Sequence, residues 1–259
     1  MSFKHSAYVE LLQSLRMAAR FPITVGGYVE NNDQDKQARY VVLRHDVDRM
    51  PSRAIAMAEI EASSGVRATY YFRCSKSGRF PDSAIHAIAD MGHEIGYHYE
   101  CLSACRGDRS SALINFERNL DALRKLAPCK TVAMHGAPLS PFSNQDLLLG
   151  IDLSRFALVC DASLWFLETP VAYFTDTGGI WNADEVSNFR DRVGRAVGKY
   201  PSPSSIDFAQ WLSGFRELVY VSTHPERWTS TAIQYGISFG MDQAVNLAKR
   251  AIRHSRRSR

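Results

Sequence analysis

The chain has 259 residues, 45% of them hydrophobic and 22% charged, a balance that can bury a large core and excludes a disordered protein. Its formal charge is +4, but Lys249, Arg250, Arg253, Arg256, Arg257 and Arg259 place that excess in a tail at 249–259, so a nucleic-acid-binding face is not expected. No run of about 18 apolar residues occurs, and Lys4, Glu10 and Arg16 interrupt the amphipathic start, which argues against a membrane span or a secretory signal. The five cysteines, Cys74, Cys101, Cys105, Cys129 and Cys160, include no CxxC pair and are expected to be reduced thiols of a cytoplasmic protein.

A helix is predicted over 1–20. The stretch 21–39, with Gly26-Gly27 and Asn31-Asn32-Asp33, is expected to be a loop. From Tyr40 onward β-rich runs alternate with amphipathic ones: a strand at 40–45, a helix at 51–64 stopped by Gly65, a strand at 68–72, a helix at 82–91 and a strand at 93–98. A helix at 109–126 and a strand at 131–135 follow. Shorter β-like runs at 156–160, 171–175 and 218–223 bring the strands to about seven, and a helix near 241–254 closes the chain. The alternation predicts an α/β fold with a parallel sheet curled into a barrel, as one domain over 1–259 with an N-terminal helix at 1–20 and a basic tail at 249–259.

Reactive groups in such folds gather where strands end, because the loops there vary while the sheet holds them in place. Those ends carry His45-Asp46-Val47-Asp48, His98-Tyr99-Glu100, His135-Gly136, Asp176 and His224-Pro225. Side chains alternate along extended chain, so Asp46 and Asp48 face one side together with Arg44. Two such carboxylates repel unless a divalent cation or an arginine neutralises one, although Asp48 is also a candidate cap for the helix starting near Pro51. The same alternation puts Glu94, Gly96 and His98 on one face and His93, Ile95 and Tyr97 on the other.

The neutral imidazole of His98 is therefore a candidate metal ligand beside Asp48, while His93 is read as a structural histidine. Glu100 is either an oxygen ligand or a solvated acid, and His135 either a ligand or a hydrogen-bond partner of the acids. His224 is a candidate proton donor to a leaving group. Tyr97, Tyr99 and Trp181 suit either ring stacking or the core, and His5 and His254 are read as surface residues.

These residues fall within stretches that together resemble the polysaccharide deacetylase family, also called the NodB-homology or carbohydrate esterase type-four family. The stretches are LRHDVD at 43–48, GVRATYYF at 65–72, MGHEIGYHYE at 91–100, MHGAPLS at 134–140, DTGGIW at 176–181 and STHPERW at 222–228. The resemblance runs from about 40 to 228 and is particularly to a bacterial branch encoded among O-antigen and surface-polysaccharide genes. It implies a distorted (β/α)7 TIM-like barrel and metal-dependent removal of an acetyl or formyl group from an N-acylated sugar.

By the same resemblance Asp46 is the general base, Asp48 and His98 bind metal, and His224 is the late catalytic histidine. Asp176 and Trp181 correspond to the acid and tryptophan of the fourth motif and are expected to bind substrate, with Arg44 and Tyr99 beside them. The family's second histidine ligand falls at Leu102, which cannot bind metal; His135 is the favoured third ligand and Glu100 its substitute. The third-motif arginine is absent around Met134-His135-Gly136, leaving His135 or Arg44 to orient Asp46.

The implied cofactor is a divalent metal, with zinc expected and cobalt, nickel or manganese as alternatives. The implied partner is a lipid-linked or nucleotide-linked glycan precursor in the cytoplasm, with the tail at 249–259 a candidate for contact with the inner membrane face. Leu102 also motivates two other readings, a metal-independent hydrolase of cyclic ureides or imides and a non-catalytic scaffold that binds glycan or a partner.

Overall fold

Nine strands, each paired in parallel, form a single sheet in the computed structural model, which describes residues 3–31, 39–181, 193–196, 200–231, 233–240 and 243. They are β1 (Phe21–Ile23), β2 (Tyr40–Val47), β3 (Thr69–Phe72), β4 (Glu94–Tyr99), β5 (Thr131–Met134), β6 (Cys160–Asp161), β7 (Pro170–Thr175), β8 (Arg195–Ala196) and β9 (Leu218–Thr223). The spatial order is β6-β5-β4-β3-β2-β9-β7-β8. Beside β2, β1 pairs with Tyr40 to Val42 and β3 with Arg44 to Val47, so the two share one flank at different heights. Six of the seven expected strands are present; the run expected at 156–160 instead follows a 3-10 turn at Leu153–Phe156 and enters the sheet only at Cys160, as the two-residue β6, while β1 and β8 are additional.

Strand alternation divides the buried residues into two cores. Val41, Leu43, Tyr70, Phe72, Tyr97, Tyr99, Val132, Phe174, Val219 and Val221 pack outward against the helices. Val42, Tyr71, Ala133, Cys160, Val171, Tyr173 and Tyr220 form a smaller inner cluster. That inner cluster joins β5 and β6 to β7, which lie far apart along the sheet, so the sheet curls round to bring them together. Its path nevertheless ends at β6 and β8 with no pairing between them among the described residues, which leaves the barrel open at that seam.

The outer layer forms where the sequence predicts amphipathic helices. The helix Pro51–Ser63 begins with proline, whose fixed φ suits the first turn, and ends before Gly65 at φ +70°. The helices His5–Met17, Asp82–Asp90 and Arg109–Arg124 likewise match expectation to within a few residues. The stretch 21–39 does not remain a loop: Phe21–Ile23 joins the sheet and Val25–Glu30 forms a short helix capped by the Thr24 hydroxyl. Three-residue strands have too little alternation to register as a pattern. The expected helix near 241–254 and the tail at 249–259 lie outside the described residues, apart from the helical position 243.

Candidate active site

Inner-face alternation delivers the polar residues to one mouth at the C-terminal ends of the strands. From β2 come Arg44, Asp46 and Asp48; from β3, Arg73; from β4, His98 and Glu100; from β5, His135; and from β9, His224. Two adjacencies bring these sets together, since β2 lies between β3 and β9, and β4 between β3 and β5.

Asp46 is buried and held at both oxygens, by Arg44 Nε at 2.7 Å and Nη2 at 2.8 Å. Burial opposes its ionisation, but Arg44, His98 and His224 outweigh that effect and keep its carboxyl below the ordinary value. The Arg44 guanidinium rests over the Tyr71 ring, 5.1 Å from its centroid. Expected as a substrate contact, Arg44 is buried and committed to Asp46; of the two candidates for orienting that base, it is the one in contact.

His224 is held just as firmly. Its Nδ1 donates to Asp176 Oδ1 at 2.7 Å, and its backbone N–H lies 3.0 and 3.1 Å from the two Asp176 oxygens. Trp228 Nε1 donates to Asp176 Oδ2 at 2.9 Å, and Arg227 Nη1 stands 3.4 Å from Oδ1. Burial and the nearby Arg227 oppose protonation of His224, yet the Asp176 carboxylate raises its pKa to about 9. Asp176, expected as a substrate contact, is fully buried with both oxygens occupied, so its place is behind His224.

His98 lies 3.1 Å from the Ala133 carbonyl through Nδ1, which must therefore carry the proton and leave the Nε2 lone pair exposed to the mouth. Burial lowers its pKa to about 4, so the ring is neutral. That lone pair stands 3.5 Å from Asp48 Oδ1 and 3.6 Å from Asp46 Oδ2, and Asp48 Oδ1 is buried with no hydrogen-bond partner. Acceptors that face each other without an intervening proton suit a cation, and two donors each about 2.1 Å from one ion stand about 3.4 Å apart. Asp48 and His98 therefore suit a divalent metal.

The set is one donor short, because no group of three or more His, Cys, Asp or Glu side chains closes on a metal-holding point among the described residues. His135 can complete it only after losing a proton. Its Nδ1 is 3.1 Å from Glu100 Oε2 and its Nε2 3.6 Å from the other Asp48 oxygen. Burial opposes charge on this ring, but Asp48 and Glu100 raise its pKa to about 9, and a protonated imidazole has no lone pair to offer. Glu100 is no free substitute either, since Arg73 Nη2 lies 2.7 Å from both of its oxygens. Leu102, at the position of the missing histidine, is buried in the core.

Tyr99 departs from the substrate contact expected of it. Tyr99 alternates away from His98 into the outer core, where its ring meets Tyr97 and Phe116 and its hydroxyl donates to Asp161 Oδ2 at 2.5 Å. Trp181 is half-buried, with its ring centroid 5.6 Å from Phe3 and 5.9 Å from Trp228. His93 is structural as read, accepting from the Ala68 N–H and donating to the Ala58 carbonyl.

Arg73 and Glu226 were not anticipated. Arg73 is the first residue past β3, the same strand-end position that singled out the others. Glu226 follows His224 by two residues; both of its carboxyl oxygens are buried without hydrogen bonds, and burial and the Asp48 charge raise its pKa to about 7.

No family model matches the chain, and no curated protein matches it. Among solved structures it is similar to a Streptococcus mutans CE4 esterase at 13% identity and a TM-score of 0.45, over 89% of each chain. It is also similar to the peptidoglycan deacetylase PdaC from Bacillus subtilis, at 14% identity and a TM-score of 0.36, over 81% of this chain and 96% of that one. A CE4 family pseudoenzyme from Bacillus anthracis shares 14% identity at a TM-score of 0.37, over 79% of this chain and 60% of that one. Likeness at this level does not extend to activity, so the chemistry has to be read from the side chains themselves.

Proposed function

We propose that the chain is a hydrolase of the polysaccharide deacetylase type that removes an acetyl or formyl group from the nitrogen of an amino sugar. One observation carries this reading: an acid ionised at neutral pH, Asp46, and an imidazole protonated at neutral pH, His224, serve the same mouth, each locked from behind by a buried counter-charge. That is the pairing amide hydrolysis requires. Asp46 takes a proton from water as the water oxygen bonds to the acyl carbon. His224 gives its Nε2 proton to the sugar nitrogen as the carbon–nitrogen bond breaks, releasing the amine and the carboxylic acid. Arg44 keeps Asp46 aimed, and Asp176 keeps the His224 Nδ1 proton inward so that Nε2 faces the substrate.

A divalent ion, with zinc expected, would be held by Asp48 and His98, with His135 as the third ligand once its Nε2 proton is lost. Bound there, it would polarise the acyl oxygen and acidify the attacking water. The family resemblance of the motifs supports, as substrate class, a glycan precursor of bacterial surface polysaccharide presented in the cytoplasm, with the basic tail at 249–259 a candidate for contact with anionic membrane.

The test is a mass-spectrometric screen of N-acetyl and N-formyl amino sugars, free and nucleotide-linked, with zinc or cobalt added. Asp46→Asn is expected to lower turnover by about 10²–10⁴-fold while leaving the circular dichroism unchanged, the range a positioned base contributes. Full turnover by the Asn variant would refute the assignment. The buried Leu102 and the incomplete donor set favour a second reading, metal-independent opening of a cyclic ureide or imide at the same mouth. Turnover of such a compound after exhaustive chelation would select it.

A further inference from the structure

Arg73 lies outside the proton-transfer machinery, yet it is tied to the residues that would hold the ion. Its Nη2 grips both oxygens of Glu100 at 2.7 Å, and its Nη1 stands 3.8 Å from Asp48 Oδ1. Glu100 meets His135 at 3.1 Å, and His135 meets the other oxygen of Asp48 at 3.6 Å, which closes a ring of four side chains round the mouth. The two contacts of Arg73 differ in kind. Glu100 takes hydrogen bonds and anchors the guanidinium, whereas Asp48 Oδ1 receives charge alone: it has no hydrogen-bond partner, and neither does the buried Arg73 Nε.

The lone pairs of Asp48 Oδ1 are thus unobstructed, while a permanent positive charge is fixed beside them. Any cation taken up between Asp48 and His98 lies within a few ångströms of that guanidinium, and Coulomb repulsion at such a distance is substantial at a half-buried mouth.

We propose that Arg73, beside His135, is an internal counter-cation of Asp48 and that it weakens the affinity of the Asp48 and His98 pair for a divalent ion. The inference rests on the functional reading above only in taking that pair as the ion's seat. With Arg73 in place the site neutralises its own acids and takes up metal reversibly as metal becomes available. Without Arg73 the acids lack that charge and hold the ion more tightly.

Calorimetric titration of zinc and of cobalt into the full chain tests this, with the parent beside Arg73→Gln, Arg73→Lys and His98→Ala. Glutamine keeps an amide to donate to Glu100 but removes the charge, and lysine keeps the charge. The expected result is binding at least about tenfold tighter in Arg73→Gln, parent-like binding in Arg73→Lys, and loss of this site in His98→Ala. Thermal melts check that each variant folds, and Arg73→Met, which keeps the apolar stem, replaces the glutamine variant if that one fails.

Equal or weaker binding in the uncharged variant, with His98→Ala still losing the ion, overturns the proposal and leaves the functional reading standing. An absence of zinc and cobalt binding in the parent and in Arg73→Gln alike overturns both the proposal and the metal-dependent form of that reading.

Discussion

Asp46 and His224 have opposite charge requirements, and each meets its own through one buried partner. Because Asp176 is what raises His224 to about 9 against burial, the protonated acid persists through neutral pH and is lost only in the alkaline range. Turnover should therefore show a basic limb near pH 9, and Asp176→Asn should move that limb toward lower pH by removing the charge that sustains it. A pH–rate profile of the two proteins checks this, and an unmoved limb would detach His224 from the acid role. The same pair bears on stability. A histidine whose folded pKa exceeds its ordinary 6.5 contributes stability that is fully present below that value and is lost as the pH rises through about 9.

Strand alternation governs what each element can contribute. In β4 the inner positions are Glu94, Gly96 and His98, and the middle one has no room for a side chain: a Cβ at Gly96 would stand 2.2 Å from the Tyr71 ring and 3.1 Å from the Thr131 carbonyl. Gly96, the register partner of Tyr71, leaves the space that the Tyr71 ring occupies beneath Arg44. Gly96→Ala is expected to destabilise the protein by about 1–3 kcal/mol through overpacking and to displace His98, two residues away. Chemical denaturation measures the first effect and zinc titration the second. The outward alternation of Tyr99 was equally legible, since it neighbours His98 in an extended run; its pairing with Asp161, 62 residues later, was not.

Across the molecule, the outer core has an ionisable hub that ties four elements together. Glu61, on the helix Pro51–Ser63, is fully buried and accepts from Tyr8 on the N-terminal helix, from Tyr70 on β3 at 2.6 Å, and pairs with His45 on β2 at 2.8 Å. His45 in turn meets Thr223 at the end of β9 at 2.7 Å, directly before His224. The N-terminal segment is bound over this hub by the bridge from Lys4 to Thr229, and Trp228 packs between Phe3, Tyr8 and Trp181. Burial opposes the charge on Glu61, but His45, His93 and Tyr70 keep its pKa below the ordinary 4.5. Its stabilisation is therefore present above about that value and is lost as the pH falls through the lower folded pKa. Glu61→Gln is expected to cost about 1.5–3 kcal/mol at neutral pH, the range for hydrogen bonds to a charged group, and to reduce the acid sensitivity of unfolding. Denaturation curves at neutral and acidic pH test both effects.

Local periodicity determined the alternation of strand and helix, the placement of nearly every reactive group at a strand end, and the shared face of Arg44, Asp46 and Asp48. These are properties of successive residues, and a period of two or of 3.6 expresses them without reference to the rest of the chain. Only the tertiary structure decided which strand ends meet. The order β4-β3-β2-β9 brings His98 and His224 to Asp46 from opposite sides, and the β4–β5 pairing gives His135 to Glu100. Those contacts span tens to well over a hundred residues, and the charges they bring together decide that His98 keeps a lone pair, that His135 carries a proton, and that Arg73 stands beside Asp48.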